Sequence, residues 1–341
     1  MALGRPAKAV PLDGADVLLL DLDGVVYVGH HAVPHAVETL GAAAARGVAL
    51  GYITNNASRR PSTVAEQLRG YGLDLTDDQV VTSPQAAVRL LADRLPAGAR
   101  VLVIGGDGLA SVVADAGFAV VASADDGPAA VVQGFSPELG WADLAEASFA
   151  LADPDRLWVA TNTDWTIPVA RGLAPGNGTL VSAVHAAVGR LPLVAGKPET
   201  PLFETAVDRF GAQSPFFVGD RLDTDIAGAV AAGMRSALVL TGVDGPKELL
   251  AAAAKARPDF ILEDLRGLLE PYPEVREKRD GVSVGDAVAR VSGQRLEVVR
   301  AGRPVDLIRA ASHAVWASGV SAYALQIPDA VLAARPPRVR R

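Results

Sequence analysis

Three short apolar runs, each closed by polar residues, constrain this chain more than any other feature. Val17-Leu18-Leu19-Leu20 ends in Asp21, Val48 to Ile53 ends in Thr54-Asn55-Asn56, and Pro215-Phe216-Phe217-Val218 ends in Gly219-Asp220. Runs that are apolar at every position suit strands buried on both faces of a parallel sheet. Helical patterns alternate with them. After Thr200-Pro201, where Thr200 is expected to cap, Leu202, Phe203, Ala206, Val207 and Phe210 recur at helical spacing until Gly211. The alternation predicts an α/β protein built on a doubly wound, Rossmann-like parallel sheet. Ligands of such sheets sit beyond the carboxyl ends of the strands, so the three polar termini are expected to share one site.

The 341 residues suffice for two domains of ordinary size. Between Thr54 and Lys197 lie 142 residues with strand patterns at Val101 to Ile104, Ala129 to Val132 and Leu157 to Ala160. Helical patterns span Leu109 to Ala116, Trp141 to Leu151 and Thr179 to Gly189, so the stretch is too structured for a loop. The expected organisation is a core of residues 1–82 and 191–270, an inserted α/β domain of residues 83–190, and a small α+β appendage of residues 271–341. The appendage is read as a hairpin, Val282 to Val291 and Gln294 to Arg300 about Ser292-Gly293, then a helix from Pro304 to Ala317. Arg335 to Arg341 is read as a disordered basic end.

Charge supports the boundary near Pro271. Residues 271–341 carry 12 Lys and Arg against 7 Asp and Glu, which leaves the first 270 residues with 20 against 32. So acidic a body argues against nucleic acid as a partner. No apolar run approaches the roughly 18 residues of a membrane-spanning helix. Met1 to Asp16 lacks the apolar centre of a secretory signal, and the chain is read as cytoplasmic. Homo-oligomerisation is left open.

The absence of cysteine excludes thiolate metal sites, iron-sulfur clusters and cysteine nucleophiles. Five scattered histidines remain, so a bound metal is expected to have oxygen ligands, as Mg²⁺ does. His30, His31 and His35 have no regular spacing to a partner and are read as surface or packing residues.

Asp21-Leu22-Asp23-Gly24 sets two carboxylates two residues apart after a strand, where one can act as nucleophile and the other as acid and base. A plain acidic turn is the alternative. Gly219-Asp220-Arg221-Leu222-Asp223-Thr224-Asp225 adds three more acids at another strand end. Each like-charged pair about 4 Å apart costs about 4 kcal/mol at an effective dielectric of 20, so the cluster calls for a cation. Some of these acids are expected to be solvated, or to cap a helix through Thr224 or Asp225. Thr54-Asn55-Asn56 offers a hydroxyl, amides and backbone N–H groups, expected at a helix start, to a phosphate oxygen. Gly196-Lys197-Pro198 is no P-loop, since proline replaces the Ser or Thr. Lys197 is either a solvated lysine or a fixed positive charge near the acids.

Asp21-x-Asp23, Thr54, Lys197 and Gly219-Asp220-x-x-x-Thr224-Asp225, in that order, resemble the four motifs of the haloacid dehalogenase-like phosphatases. The spacing resembles the NagD-like subfamily, with a large C2-type cap between the second and third motifs, and covers about residues 15 to 265. That group includes p-nitrophenyl phosphate, phosphoglycolate, glycerol 3-phosphate and pyridoxal phosphate phosphatases. The resemblance implies a phosphoaspartate intermediate on Asp21, with Asp23 as general acid and then base. It implies Mg²⁺ held by Asp21, the carbonyl of Asp23 and Asp220, with Asp223 and Asp225 behind them. Thr54, Asn55 and Lys197 are implied to hold the phosphoryl oxygens, with Asn56 beside them.

Substrate choice is expected in the cap. Ala160 to Pro168 resembles a family segment that often reads Asn-Pro-Asp, and here Thr163 replaces the proline between Asn162 and Asp164. Trp165 and Ile167 are candidates to touch the leaving group, with a buried structural Trp the alternative. The expected partner is a small phosphorylated metabolite. Glycerol 3-phosphate is the leading substrate and phosphoglycolate the next, with pyridoxal phosphate or a nucleotide as alternatives. A regulatory protein that keeps the fold is the reading from another class.

Overall fold

The computed structural model describes residues 9–169 and 171–335. The chain divides into two compact units, one of residues 1–50 and 212–341, the other of residues 51–211. Readings placed on residues 1–8 and 336–341 lie outside the described residues.

In the first unit the strand Val17–Leu20 pairs in parallel with Pro215–Gly219, with Leu20 opposite Val218. Arg235–Val239 and Phe260–Leu262 continue the parallel sheet. Leu18, Leu19, Leu20, Phe216, Phe217 and Val218 are wholly buried, which is why these runs carry no polar residue on either face.

After Glu270 the chain forms a four-stranded antiparallel sheet, Val275–Lys278, Gly281–Val284, Ala287–Ser292 and Arg295–Arg300. The helix Pro304–Ser318 follows. The single strand expected over Val282 to Val291 is two strands. Gly285 turns the chain at φ +55°, and a Cβ there would lie 2.5 Å from the Asp306 carboxylate. Val282, Val284, Leu296, Ile308 and Ala311 share one core with Leu238, Leu240, Leu249 and Ile261. A lone hairpin is marginal in water, and this shared burial anchors the segment. Arg309 is buried with it, donating to the Ile261 carbonyl at 2.8 Å and pairing with Asp306 at 2.8 Å.

The second unit holds the parallel pair Ala49–Thr54 and Val80–Thr82, most of the first strand lying within it. It also holds a five-stranded parallel sheet in the order Leu193–Val194, Leu157–Ala160, Ala130–Gln133, Arg100–Ile104, Ala119–Val121. The helix Ser83–Ala92 packs on both Asp107–Asp115 and Pro201–Phe210. Trp158 and Ala160 of the sheet pack against Val181 and Val184 of the helix Asn177–Val188. Pro201 begins its helix and Gly211 ends it in the left-handed region, as the pattern requires. Thr200 makes no capping bond to the backbone. Its hydroxyl donates to the Glu204 carboxylate at 2.6 Å.

No helix among the described residues is long and apolar enough to cross a membrane.

Candidate active site

Within the first unit, Asp21 extends the ladder of its strand by one residue, its N–H donating to the Val218 carbonyl at 2.9 Å. Gly219-Asp220 ends the neighbouring parallel strand at the same level, so the two carboxylates emerge side by side. Carboxylate oxygens of Asp21, Asp220 and Asp225 lie within 4.8 Å of one another. Asp220 and Asp225 are each 1% exposed.

Each buried acid is answered by backbone donors. The Asp225 carboxylate accepts from the N–H groups of Asp220 and Arg221, both at 3.1 Å. Its tie is to the strand end rather than to a helix cap, and Leu222–Ile226 forms a π-turn around it. The Asp220 carboxylate accepts from the Val243 N–H at 2.6 Å. The loop Thr241 to Asp244 carries further ties: Thr241 Oγ1 donates to the Gly24 carbonyl at 2.6 Å, and Asp244 accepts from the Leu222 N–H at 2.6 Å. Burial pushes the Asp244 carboxyl above its usual range, against the pull of that N–H. The Arg335 guanidinium holds the same loop by the carbonyls of Leu240, Gly242 and Val243. Any Cβ on Gly24 or Gly242 would overlap the Asp220 carboxylate, so the glycine that follows the two aspartates is a steric necessity.

Asp23 stands exposed immediately before a turn closed by Gly24 N–H to Tyr27 carbonyl at 2.7 Å. Asp223 is exposed and pairs with Arg221 at 2.9 Å. Burial raises its carboxyl, but the Arg221 hydrogen bonds and charge outweigh this and hold it below the usual range. His30, His31 and His35 are exposed.

Within the second unit, Lys197 is 3% exposed, which removes the solvated-lysine reading. Thr54 is buried, and its hydroxyl accepts from the Asn56 N–H at 3.1 Å. The expected helix start at Thr54 to Asn56 is absent, and the helix begins at Pro61. Asn56 Oδ1 instead captures the Ser58 N–H at 2.9 Å and hydroxyl at 2.8 Å, a local turn that competes with helix. Asn55 donates to Asp164 at 3.2 Å and to the Lys197 carbonyl at 3.1 Å, and accepts from the Lys197 N–H at 2.8 Å. Asn162 is buried and donates to the Asn55 carbonyl at 2.8 Å. Trp165 is 66% exposed, so the buried structural role falls away, and Ile167 is half-buried.

Sequence reasoning missed Val243, Asp244 and Arg335. Only Thr241-Gly242, polar residues closing a fourth apolar run, signalled that loop.

Three buried or half-buried carboxylates without a nitrogen or sulfur ligand form a hard-oxygen donor set of the kind Mg²⁺ takes. Two family models match the chain, haloacid dehalogenase-like hydrolase over residues 18–119 and a further model of the same hydrolase class over residues 194–268. The chain belongs to the haloacid dehalogenase-like hydrolases, in the NagD-like group of phosphoric monoester phosphatases.

Among its relatives, D-glycerol 3-phosphate phosphatase of Mycobacterium tuberculosis is 43% identical, over 88% of this chain and 86% of its own. Human chronophin is 38% identical over 73% of this chain and 89% of its own. The crystal structure of the Mycobacterium tuberculosis glycerol phosphate phosphatase in complex with magnesium superposes with a TM-score of 0.84, at 40% identity over 94% of each chain.

Proposed function

We propose that this chain hydrolyses glycerol 3-phosphate, with Asp21 as nucleophile and Asp23 as general acid and base. The observation that carries the reading is the trio Asp21, Asp220 and Asp225, converging at the ends of two adjacent parallel strands. So dense a set of acids repels itself and a phosphate dianion alike, and Mg²⁺ bound there offsets both repulsions.

Asp21 attacks phosphorus and forms a phosphoaspartate, while Asp23 gives a proton to the leaving alkoxide. Its exposed position lets it exchange that proton with water. Asp23 then takes a proton from the water that cleaves the phosphoaspartate. Asp220 and the Asp23 carbonyl complete the Mg²⁺ site with Asp21. Asp225 orders the Asp220 and Arg221 peptides, and Asp223 balances Arg221 at the rim. Thr54, Asn55, Asn56 and Lys197 serve the phosphoryl group. A buried ammonium is the donor type that stabilises charge developing on phosphoryl oxygens.

Residues 83–190 act as the cap that selects the leaving group, through Asn162, Trp165 and Ile167, while Asp164 is tied to Asn55. The relatives favour glycerol 3-phosphate. Phosphate release tests this with glycerol 3-phosphate, phosphoglycolate, pyridoxal phosphate and a nucleoside monophosphate, each with Mg²⁺. Glycerol 3-phosphate is expected to give the highest kcat/KM, and a tenfold preference for any other substrate would overturn the assignment.

A further inference from the structure

The side chain of Asn55 has three hydrogen-bonding groups committed within the protein. One N–H meets the Asp164 carboxylate at 3.2 Å and the other the Lys197 carbonyl at 3.1 Å, while Oδ1 accepts from the Lys197 N–H at 2.8 Å. The N–H and the C=O of Lys197 are therefore both gripped by one planar amide, the two-point pattern by which strands fix one another's register. A Cβ on Gly196 would lie 2.5 Å from the Thr161 carbonyl and 2.6 Å from Asn55 Oδ1, so the residue before the lysine is bare because backbone and amide both lie against it.

Asp164 is itself held. Its N–H donates to Asn162 Oδ1 at 3.2 Å, its carbonyl accepts from the Gly178 N–H at 2.9 Å, and Asn177 donates to the Asn162 carbonyl at 2.7 Å. A continuous path of hydrogen bonds thus runs from the start of the helix Asn177–Val188 through Asp164 and Asn55 to the backbone of Lys197.

We infer that Asn55 and Asp164 are positioning residues that aim Lys197, so a residue of the substrate-selecting segment acts on the phosphate end of the substrate. This rests on the phosphate-holding role proposed for Lys197. A planar amide gripping both the N–H and the C=O of one residue leaves its side chain one direction of departure. The Asp164 carboxylate fixes the remaining rotation of the amide by accepting from it. Removing Asp164 frees Asn55 to turn, and Lys197 loses its fixed origin, although neither residue touches the leaving group.

The test uses the full-length enzyme with inorganic phosphate as probe, read as a competitive inhibition constant and as a phosphate-dependent shift in Tm. Asn55→Ala and Asp164→Ala are expected to weaken phosphate roughly tenfold and to lower kcat/KM equally for glycerol 3-phosphate and p-nitrophenyl phosphate. Asp164→Asn, which keeps an acceptor oxygen, is expected to restore most of that loss.

An unchanged phosphate constant in Asp164→Ala, with only the ratio between the two substrates altered, would overturn the inference, because Asp164 would then be reading the leaving group. A lower Tm with an unchanged phosphate constant would overturn it too, as a merely structural role. Should Asn55→Ala fail to fold, the half-buried Asp164 carries the test alone. Lys197→Ala separates the two levels. If it leaves phosphate binding intact, the role proposed for Lys197 falls; if it weakens phosphate while Asp164→Ala does not, only the positioning path falls.

Discussion

The two compact units hold their polar side chains by opposite means. In the first, acids are gathered and held by backbone N–H groups: Asp225 by Asp220 and Arg221, Asp220 by Val243. In the second, side chains hold backbone: Asn55 grips both backbone polar groups of Lys197, and Asn162 the Asn55 carbonyl. Backbone donors suit the acids, since they lower the cost of burying negative charge without adding a titrating group. The backbone of the lysine is held by a planar amide, which fixes where its side chain sets out. The comparison teaches that the first unit should answer to cations, and the second to geometry.

The largest expected effect is removal of divalent metal. Excess EDTA should reduce phosphate release to the uncatalysed level and lower Tm, and added Mg²⁺ should restore both, because the three clustered acids repel one another without it. Full activity in EDTA would break the contrast at its root. Asp23→Asn comes next, with an expected loss of about 10² to 10⁴ in kcat. Unlike the buried acids it should leave Tm nearly unchanged, since Asp23 is exposed. A rate within threefold of the parent would remove Asp23 from proton transfer.

Asp225→Ala sharpens the distinction between held and solvated acids. It leaves one buried and one half-buried N–H group without their acceptor and should cost roughly 2–4 kcal/mol by chemical denaturation, whereas Asp223→Ala at the rim should stay within about 0.5 kcal/mol. Equal costs would mean that the backbone donors contribute no more than a surface ion pair.

The smallest effect lies in the C-terminal segment. Burial, with Arg257 nearby, lowers the His313 pKa from 6.5 against the opposing pull of Glu277. A depressed value means that the folded state prefers neutral imidazole, so its contribution is complete above the unfolded value and is lost as pH falls through about 6.5 and below. Tm should therefore fall less in His313→Gln than in the parent between pH 7.5 and 5.5. An identical fall in both would exclude His313 from the acid sensitivity.

The legible parts of this molecule are those that obey a short period or a fixed order. Val17 to Leu20 and Pro215 to Val218 announce buried parallel strands because every position is apolar, and Asp21 and Asp220 are prominent because each closes such a run. Lys197 is legible only in company with them. Its neighbour Asn55 reads as a phosphate donor in sequence because its side-chain chemistry permits it, yet its amide partners lie 109 and 142 residues away. The same limit hid Val243, which acts through its own N–H, and Arg335, whose guanidinium meets main-chain carbonyls 92 and 95 residues away. The break at Gly285 was visible as a glycine, but its reason, the Asp306 carboxylate against it, comes from a helix later in the chain.

The most direct test of the central claim is phosphate release from glycerol 3-phosphate by the parent chain and by Asp21→Asn, each with saturating Mg²⁺. An amide cannot attack phosphorus, so Asp21→Asn should lose on the order of 10⁴-fold or more in kcat while circular dichroism and Tm report an intact fold. A well-folded Asp21→Asn that still turns over within tenfold of the parent would contradict a phosphoaspartate formed on Asp21.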